Sequence, residues 1–217
     1  MRRAIHSYVR REGHFTRGQR RAFEQYFEQF DWFAQPPAPG IKLHAEIGTG
    51  NGDNLSEMAQ RFPWRSFIAC EVHRPGVGAL LNKLTAAQLT NVRIANTDAW
   101  QLLETLPQES LASCMVLFPD PWPKKRHHKR RLLNAEFVDA LSRVLCPGGR
   151  VCVATDNEDY ASQICRTFDQ SAVWINGGGH GRFSIRLKHR LQTRYEARAT
   201  RLGHKVFNCA FIRAAWR

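Results

Sequence analysis

From Ile41 onward, short apolar runs alternate with stretches whose apolar residues recur at helical spacing. The runs at 41–47, 66–72, 91–95, 113–118, 150–154 and 205–212 predict strands. The stretches at 54–62, 77–89, 99–105, 133–145 and 157–170 predict helices. The first of these helices shows Leu55, Met58, Ala59 and Phe62 on one face, with Asp53 placed to cap it. Pro147-Gly148-Gly149 is expected to stop the fourth, and Gly177-Gly178-Gly179 marks a loop. Strands separated by helical patterns of about 10–15 residues predict an α/β fold with a doubly wound, mostly parallel sheet.

Upstream of Ile41 the pattern differs. Residues 1–15 mix arginine with apolar side chains without a period and read as an extended basic N-terminal arm. Thr16 then caps a helix, with Gln19 as its capping-box partner and Phe23, Tyr26, Phe27 and Phe30 as an apolar face suited to packing. Gln35-Pro36-Pro37-Ala38-Pro39-Gly40 is a stiff linker. The expected division is therefore an arm, helix and linker over residues 1–40 and a catalytic domain over 41–217.

One stretch departs from the alternation. After the apolar run 113–118 come Pro119-Asp120-Pro121-Trp122-Pro123 and then Lys124-Lys125-Arg126-His127-His128-Lys129-Arg130-Arg131. Prolines at 119, 121 and 123 exclude a helix or a central strand there. A strand thus delivers Asp120 and Trp122 to a stiff turn that opens onto a basic run, with Lys124 to Arg131 expected to lead outward. The adjacent His127 and His128 point in different directions and lack a third ligand, so no metal site is expected.

Charge sharpens this picture. The net charge of +13 is concentrated: seven Arg against Glu12 in residues 1–21, six Lys/Arg in 124–131, and seven Lys/Arg against Glu196 in 182–201. The rest of the chain is mildly acidic. Concentrated basicity on such a body is the electrostatic footprint of a nucleic-acid binder. No apolar run approaches the ~18 residues of a membrane span, and no secretory signal pattern follows Arg2 and Arg3. The cysteines at 70, 114, 146, 152, 165 and 209 form no C-x-x-C pair and read as reduced, packed thiols of a cytoplasmic protein.

Ligands of open α/β sheets bind beyond the carboxyl ends of the strands. The predicted strands deliver Glu46, Glu71, Asp98, Asp120 and Asp156 to those ends. Gly48-x-Gly50-x-Gly52 allows a close backbone approach, but Asp53 stands where a dinucleotide fingerprint needs its third glycine. An anionic Asp53 at a helix start disfavours pyrophosphate. Glu71, about 20 residues past the loop, suits ribose hydroxyls. A ribose-bearing, cationic ligand fits this set, and S-adenosylmethionine is one.

Glu46-Ile47-Gly48-x-Gly50-x-Gly52, Glu71-Val72-His73, the 118–131 motif, Thr193-Arg194-Tyr195-Glu196, Leu202-Gly203-His204 and the arm Tyr8-Val9-Arg10-Arg11 together resemble the bacterial tRNA (guanine-46-N7)-methyltransferase family. The proline-tryptophan-basic motif is specific to that family; the glycine loop is shared by a broad superfamily. The resemblance implies a class I methyltransferase, Rossmann-like fold with a seven-stranded sheet, and methyl transfer from S-adenosylmethionine to guanosine 46 of the tRNA variable loop. It implies cofactor contacts at Glu46, Gly48, Gly50, Gly52, Glu71, Asp98 and Asp120, with Asp120 also catalytic. It implies substrate contacts at Lys124, Asp156, Thr193, Arg194, Tyr195 and Glu196. Arg194 and Tyr195 depart mildly, with chemistry preserved, from the lysine and phenylalanine more common in that motif. The expected partner is tRNA, with no membrane and no obligatory protein partner, the chain acting as a monomer or homodimer. An RNA methyltransferase of other specificity and a non-catalytic RNA-binding module on the same fold are the competing readings.

Overall fold

Thr16 closes the start of α1 (Arg17–Phe30) with a complete capping box: its hydroxyl accepts the Gln19 N–H at 3.2 Å, and its own N–H donates to the Gln19 carboxamide at 2.9 Å. The computed structural model describes residues 13–188 and 190–215. The arm motif Tyr8–Arg11 lies outside the described residues. The described chain divides into two compact units between Thr105 and Leu106.

The first unit holds α1, β1 (Leu43–Ile47), α2 (Asp53–Arg61), β2 (Ser66–Cys70), α3 (Arg74–Ala86), β3 (Val92–Ala95) and α4 (Ala99–Thr105). Its strands run parallel in the order β3-β2-β1, with Ala45 opposite Ile68 and Ile68 opposite Arg93. The aromatic face of α1 packs as expected: Phe30 is buried, and the half-buried Phe23 ring stacks on Phe27 at 4.7 Å. The α1 backbone lies so close to α3 that a Cβ on Gly78 would sit 2.5 Å from the Gln19 carbonyl oxygen. The chain after α1 is fastened too: the Trp32 backbone N–H donates to Ile94 O at 3.0 Å, and Arg93 Nε donates to Gln35 O at the start of the linker at 2.7 Å.

The second unit holds β4 (Leu111–Leu117), a 3₁₀ helix (Lys125–Arg130), α5 (Ala135–Val144), β5 (Leu145–Thr155), α6 (Glu158–Asp169), β6 (Trp174–Asn176), α7 (Arg194–Arg201) and β7 (Phe207–Arg213). Here β4 and β5 are parallel, while β7 runs antiparallel to both β5 and β6. The seven strands make a mixed sheet in the order β3-β2-β1-β4-β5-β7-β6. The expected α/β fold with a mostly parallel sheet and seven strands is what forms.

Several boundaries differ from the sequence pattern, each for a local reason. Asp53 is not the cap of α2. Gly52 takes that position at φ 72°, and Asp53, the first helical residue, turns its carboxylate to Lys83. α3 starts three residues early because His73 Nδ1 accepts the Gly76 N–H at 3.3 Å. Pro147-Gly148-Gly149 does not separate α5 from β5; β5 begins at Leu145, and the three residues form a bulge. Leu111 pairs with Leu145 but Ser113 with Arg150. The three-residue β6 is too short for periodicity to reveal. α7 buries only Glu196 and Ala199, so it shows no apolar stripe.

Candidate active site

The loop after β1 is shaped by three glycines in the left-handed region, with φ of 74° at Gly48, 55° at Gly50 and 72° at Gly52. A Cβ on Gly48 or Gly50 would meet nothing within 4 Å, so both present bare backbone to open space. A Cβ on Gly52 would instead lie 2.3 Å from Leu80 Cδ1. The far side of the loop is supported by α3, where a Cβ on Gly76 would stand 2.6 Å from the Gly50 carbonyl oxygen.

Glu71, one residue past β2, is buried and grips this loop. One carboxylate oxygen accepts the Gly50 N–H at 2.7 Å and the other the His73 N–H at 2.8 Å. A carboxylate offers about four lone-pair sites, so two remain for a ligand. Asn96 donates to the Glu71 carbonyl at 2.7 Å, tying the turn after β3 to the turn after β2. Glu46 is buried at the end of β1 and accepts from Asn54 Nδ2 at 2.7 Å. Asp98, also buried, accepts the Gln101 N–H at 3.0 Å at the start of α4. Sequence reasoning missed Asn54, which bonds the Glu46 carboxylate, and Asn96, which holds the backbone of the turn at Glu71. It also missed the Thr49 hydroxyl, which is buried in the loop with no hydrogen-bond partner among the described residues.

In the second unit, the turn after β4 carries two bulky residues in the left-handed region, Phe118 at φ 53° and Trp122 at φ 43°. Side chains there cost about 1–3 kcal/mol each and persist when their surroundings over-determine them. The surroundings do so. The Phe118 N–H donates to Ala154 O at 2.7 Å, and its ring stacks on Tyr195 at 6.1 Å. The Trp122 face is covered by the Arg130 guanidinium at 4.9 Å, with His127 edge-on at 5.8 Å. Between them, Asp120 is exposed at the surface, yet partial desolvation by the turn pushes its carboxyl above the ordinary carboxylate range.

The basic run does not point uniformly outward. Lys124, Lys125, Arg126 and Lys129 are exposed, but Arg131 is 2% exposed and lies beneath the turn. The expectation that all of Lys124 to Arg131 leads outward is corrected at this residue. Its guanidinium donates to the Pro121 carbonyl at 2.8 Å from there.

The Thr193–Glu196 motif divides in the same way. Thr193 caps α7, its hydroxyl accepting the Glu196 N–H at 3.1 Å. Glu196 is buried beneath two guanidinium groups, bonded by Arg190 at 2.6 and 3.0 Å and by Arg186 at 2.8 Å. Burial pushes its carboxyl up, but the bonds from Arg186 and Arg190 outweigh this and leave it below the usual range. Arg194 and Tyr195 are exposed. Asp156 is exposed one residue beyond β5, and Lys124 is exposed just before the 3₁₀ helix. The Phe118–Tyr195 stack brings the Asp120 turn against the start of α7; Glu71 and the glycine loop are joined directly.

Residues 41–209 match the profile of a family described as putative methyltransferase. A tRNA (guanine-N(7)-)-methyltransferase of Nitrosococcus oceani is 41% identical, over 98% of this chain and 92% of that protein. Another, of Nitrosomonas europaea, is 39% identical over 97% of each. Among solved structures, the 16S rRNA methyltransferase KamB aligns with a TM-score of 0.54 at 17% identity, covering 99% of this chain and 100% of that one. An rRNA methylase from Streptococcus thermophilus gives a TM-score of 0.54 at 12% identity, over 93% and 99%. At those identities the likeness is one of fold.

Proposed function

The chain belongs to the tRNA (guanine-N(7)-)-methyltransferase family, and we propose that it moves a methyl group from S-adenosylmethionine to N7 of guanosine 46 in the tRNA variable loop. The observation that carries the donor assignment is Glu71 holding the Gly50 and His73 amides while keeping two lone-pair sites for ribose hydroxyls. The residues fit this donor in three further ways. Gly48 and Gly50 leave open backbone where a ligand can approach. The orphaned Thr49 hydroxyl can bond its amino acid moiety. Glu46, Asp98 and Asp120 suit its positive charge. When bound, S-adenosylmethionine supplies an electrophilic methyl group.

The acceptor needs little from the protein chemically. Guanine N7 has an in-plane lone pair and no proton, so no general base is required and positioning dominates. Alkylation leaves the purine cationic, and the Asp120 carboxylate stabilises that charge as it develops. Guanine also presents N1–H and 2-amino donors, which an acid accepts and adenine lacks; Asp156 is the candidate, because the Glu196 oxygens are committed to Arg186 and Arg190. Glu196 and Thr193 instead fix α7, which offers Arg194 and Tyr195 to the tRNA. Lys124 and the exposed cations of the 3₁₀ helix bind phosphates. On this reading residues 1–40 are an RNA-facing arm and 41–217 the catalytic part, working in the cytoplasm as a monomer or homodimer.

Incubation with labelled S-adenosylmethionine and unmodified tRNA, followed by mapping of the methylated nucleotide, tests the proposal. Label at N7 of guanosine 46 is expected. Label at another nucleotide establishes a different RNA specificity, and tRNA binding without label establishes a binding module.

A further inference from the structure

Arg131 closes a run of charges that by sequence alone belongs to the nucleic-acid face, yet its side chain is 1% exposed. A guanidinium so enclosed cannot meet a phosphate without unfolding its surroundings. Its donors are directed inward instead. Nε donates to the Pro121 carbonyl at 2.8 Å, Nη1 to Gln163 Oε1 at 2.6 Å and Nη2 to Asp159 Oδ2 at 2.7 Å. Its flat face lies 4.8 Å from the centre of the Tyr160 ring. Tyr160 is in turn held in place by accepting the Leu133 N–H at 3.1 Å. Three partners, Asp159, Tyr160 and Gln163, sit on α6, and the fourth is the carbonyl of Pro121, the residue next to Asp120. The guanidinium therefore fixes the carbonyl between Asp120 and Trp122 to a rigid helix, at a turn whose left-handed Trp122 needs external support.

We propose that Arg131 is a positioning residue for the Asp120 turn and makes no contact with RNA. The proposal rests on the assignment of Asp120 as the residue that stabilises the methylated guanine. A planar fork with three fixed directions suits the task; the single ammonium of a lysine cannot reach all three acceptors at their present angles. Arg131→Lys keeps the charge and so leaves long-range attraction to the tRNA intact, while releasing the turn. A displacement of about 1 Å at such a group costs up to about a hundredfold in rate.

The test compares Arg131→Lys, Asp159→Asn, Lys125→Gln and Asp120→Ala in the full chain. Each is assayed for kcat and KM with unmodified tRNA and for tRNA affinity across a salt series. Arg131→Lys is expected to lower kcat about tenfold to a hundredfold, with tRNA KM, affinity and salt slope as in the wild type. Asp159→Asn, a change at a largely exposed side chain that keeps the fold safe, is expected to lower kcat severalfold in the same selective way. Lys125→Gln is expected to show the opposite pattern, weaker tRNA binding and a shallower salt slope. Unchanged kcat in Arg131→Lys and Asp159→Asn overturns the proposal. So does a salt slope in Arg131→Lys that is shallower by about 0.7–0.9, the signature of a lost phosphate contact. Full activity of Asp120→Ala overturns the underlying assignment instead, which separates the two failures.

Discussion

Alanine at Gly48 and at Gly52 should separate binding from folding, although the two glycines lie four residues apart in one loop. Both stand at nearly the same positive φ, 74° and 72°. A Cβ in the left-handed region costs roughly 1–2 kcal/mol at either site. The space around them differs. The Gly52 Cβ would fall 2.3 Å from Leu80 Cδ1 and 2.9 Å from Leu80 Cβ, and Leu80 is wholly buried. Such overpacking adds about 1–3 kcal/mol. Gly52→Ala should therefore lose about 2–5 kcal/mol in all, a large part of a typical domain's stability of about 5–15 kcal/mol. Gly48→Ala should lose only the conformational share, because its Cβ enters open space. That open space is where the donor's backbone contacts are assigned, so Gly48→Ala should weaken S-adenosylmethionine binding at least tenfold. Urea unfolding gives the first quantity and titration calorimetry the second. Equal stability losses in the two variants, with wild-type donor affinity in Gly48→Ala, would refute both the packing argument and the placement of the ligand.

Asp120→Ala should nearly abolish methylation while leaving tRNA affinity close to wild type, read by initial rates beside filter binding. The desolvation that raises the Asp120 carboxyl also has a stability consequence. With the folded value above the unfolded one, the native state holds the proton longer, so stability falls as pH rises through that interval. Asp120→Asn should remove this loss, and parallel unfolding curves at acidic and neutral pH will show it. Glu196→Ala leaves the buried Arg190 guanidinium without its carboxylate and should cost about 3–5 kcal/mol in denaturant titrations. Because Glu196 is held below its usual range, its contribution should be intact above the unfolded value and disappear as pH falls through the folded one. Affinity for tRNA should drop linearly on a log–log plot against salt, and Lys124→Gln should make that slope shallower by about 0.7–0.9.

The carboxyl-end acids and the glycine loop were legible because their chemistry is local to the chain. An acid after an apolar run reads as a strand end whether or not its contacts are known. What stayed hidden was direction. Arg131 and Arg130 are consecutive and chemically alike, yet one covers Trp122 from the surface and the other is buried beneath the turn. Nothing in a charge run says which member turns back to bond the Pro121 carbonyl. Thr193-x-x-Glu196 has the spacing of a helix start, a signal that was present, but the surrounding polarity of α7 concealed the helix itself. Its packing comes from one alanine and one ion-paired glutamate rather than from an apolar stripe. The bulge at Pro147–Gly149 shows the same limit at the backbone level: the residues announce an interruption, and only the register with β4 decides that it falls within a strand.

The placement of β7 between β5 and β6 bears on how the chain must be assembled during synthesis. Strands β4 and β5 and helices α5 and α6 all leave the ribosome before β7 does. Until Phe207–Arg213 arrives, β5 presents an open row of amides and carbonyls, and β6 has no neighbour within the sheet. An open edge of this kind is a template for pairing with other chains. Closure of the second unit is therefore the last event written into its order of strands. A truncation before Phe207 should yield a nascent chain that associates with its copies rather than one that merely lacks a strand.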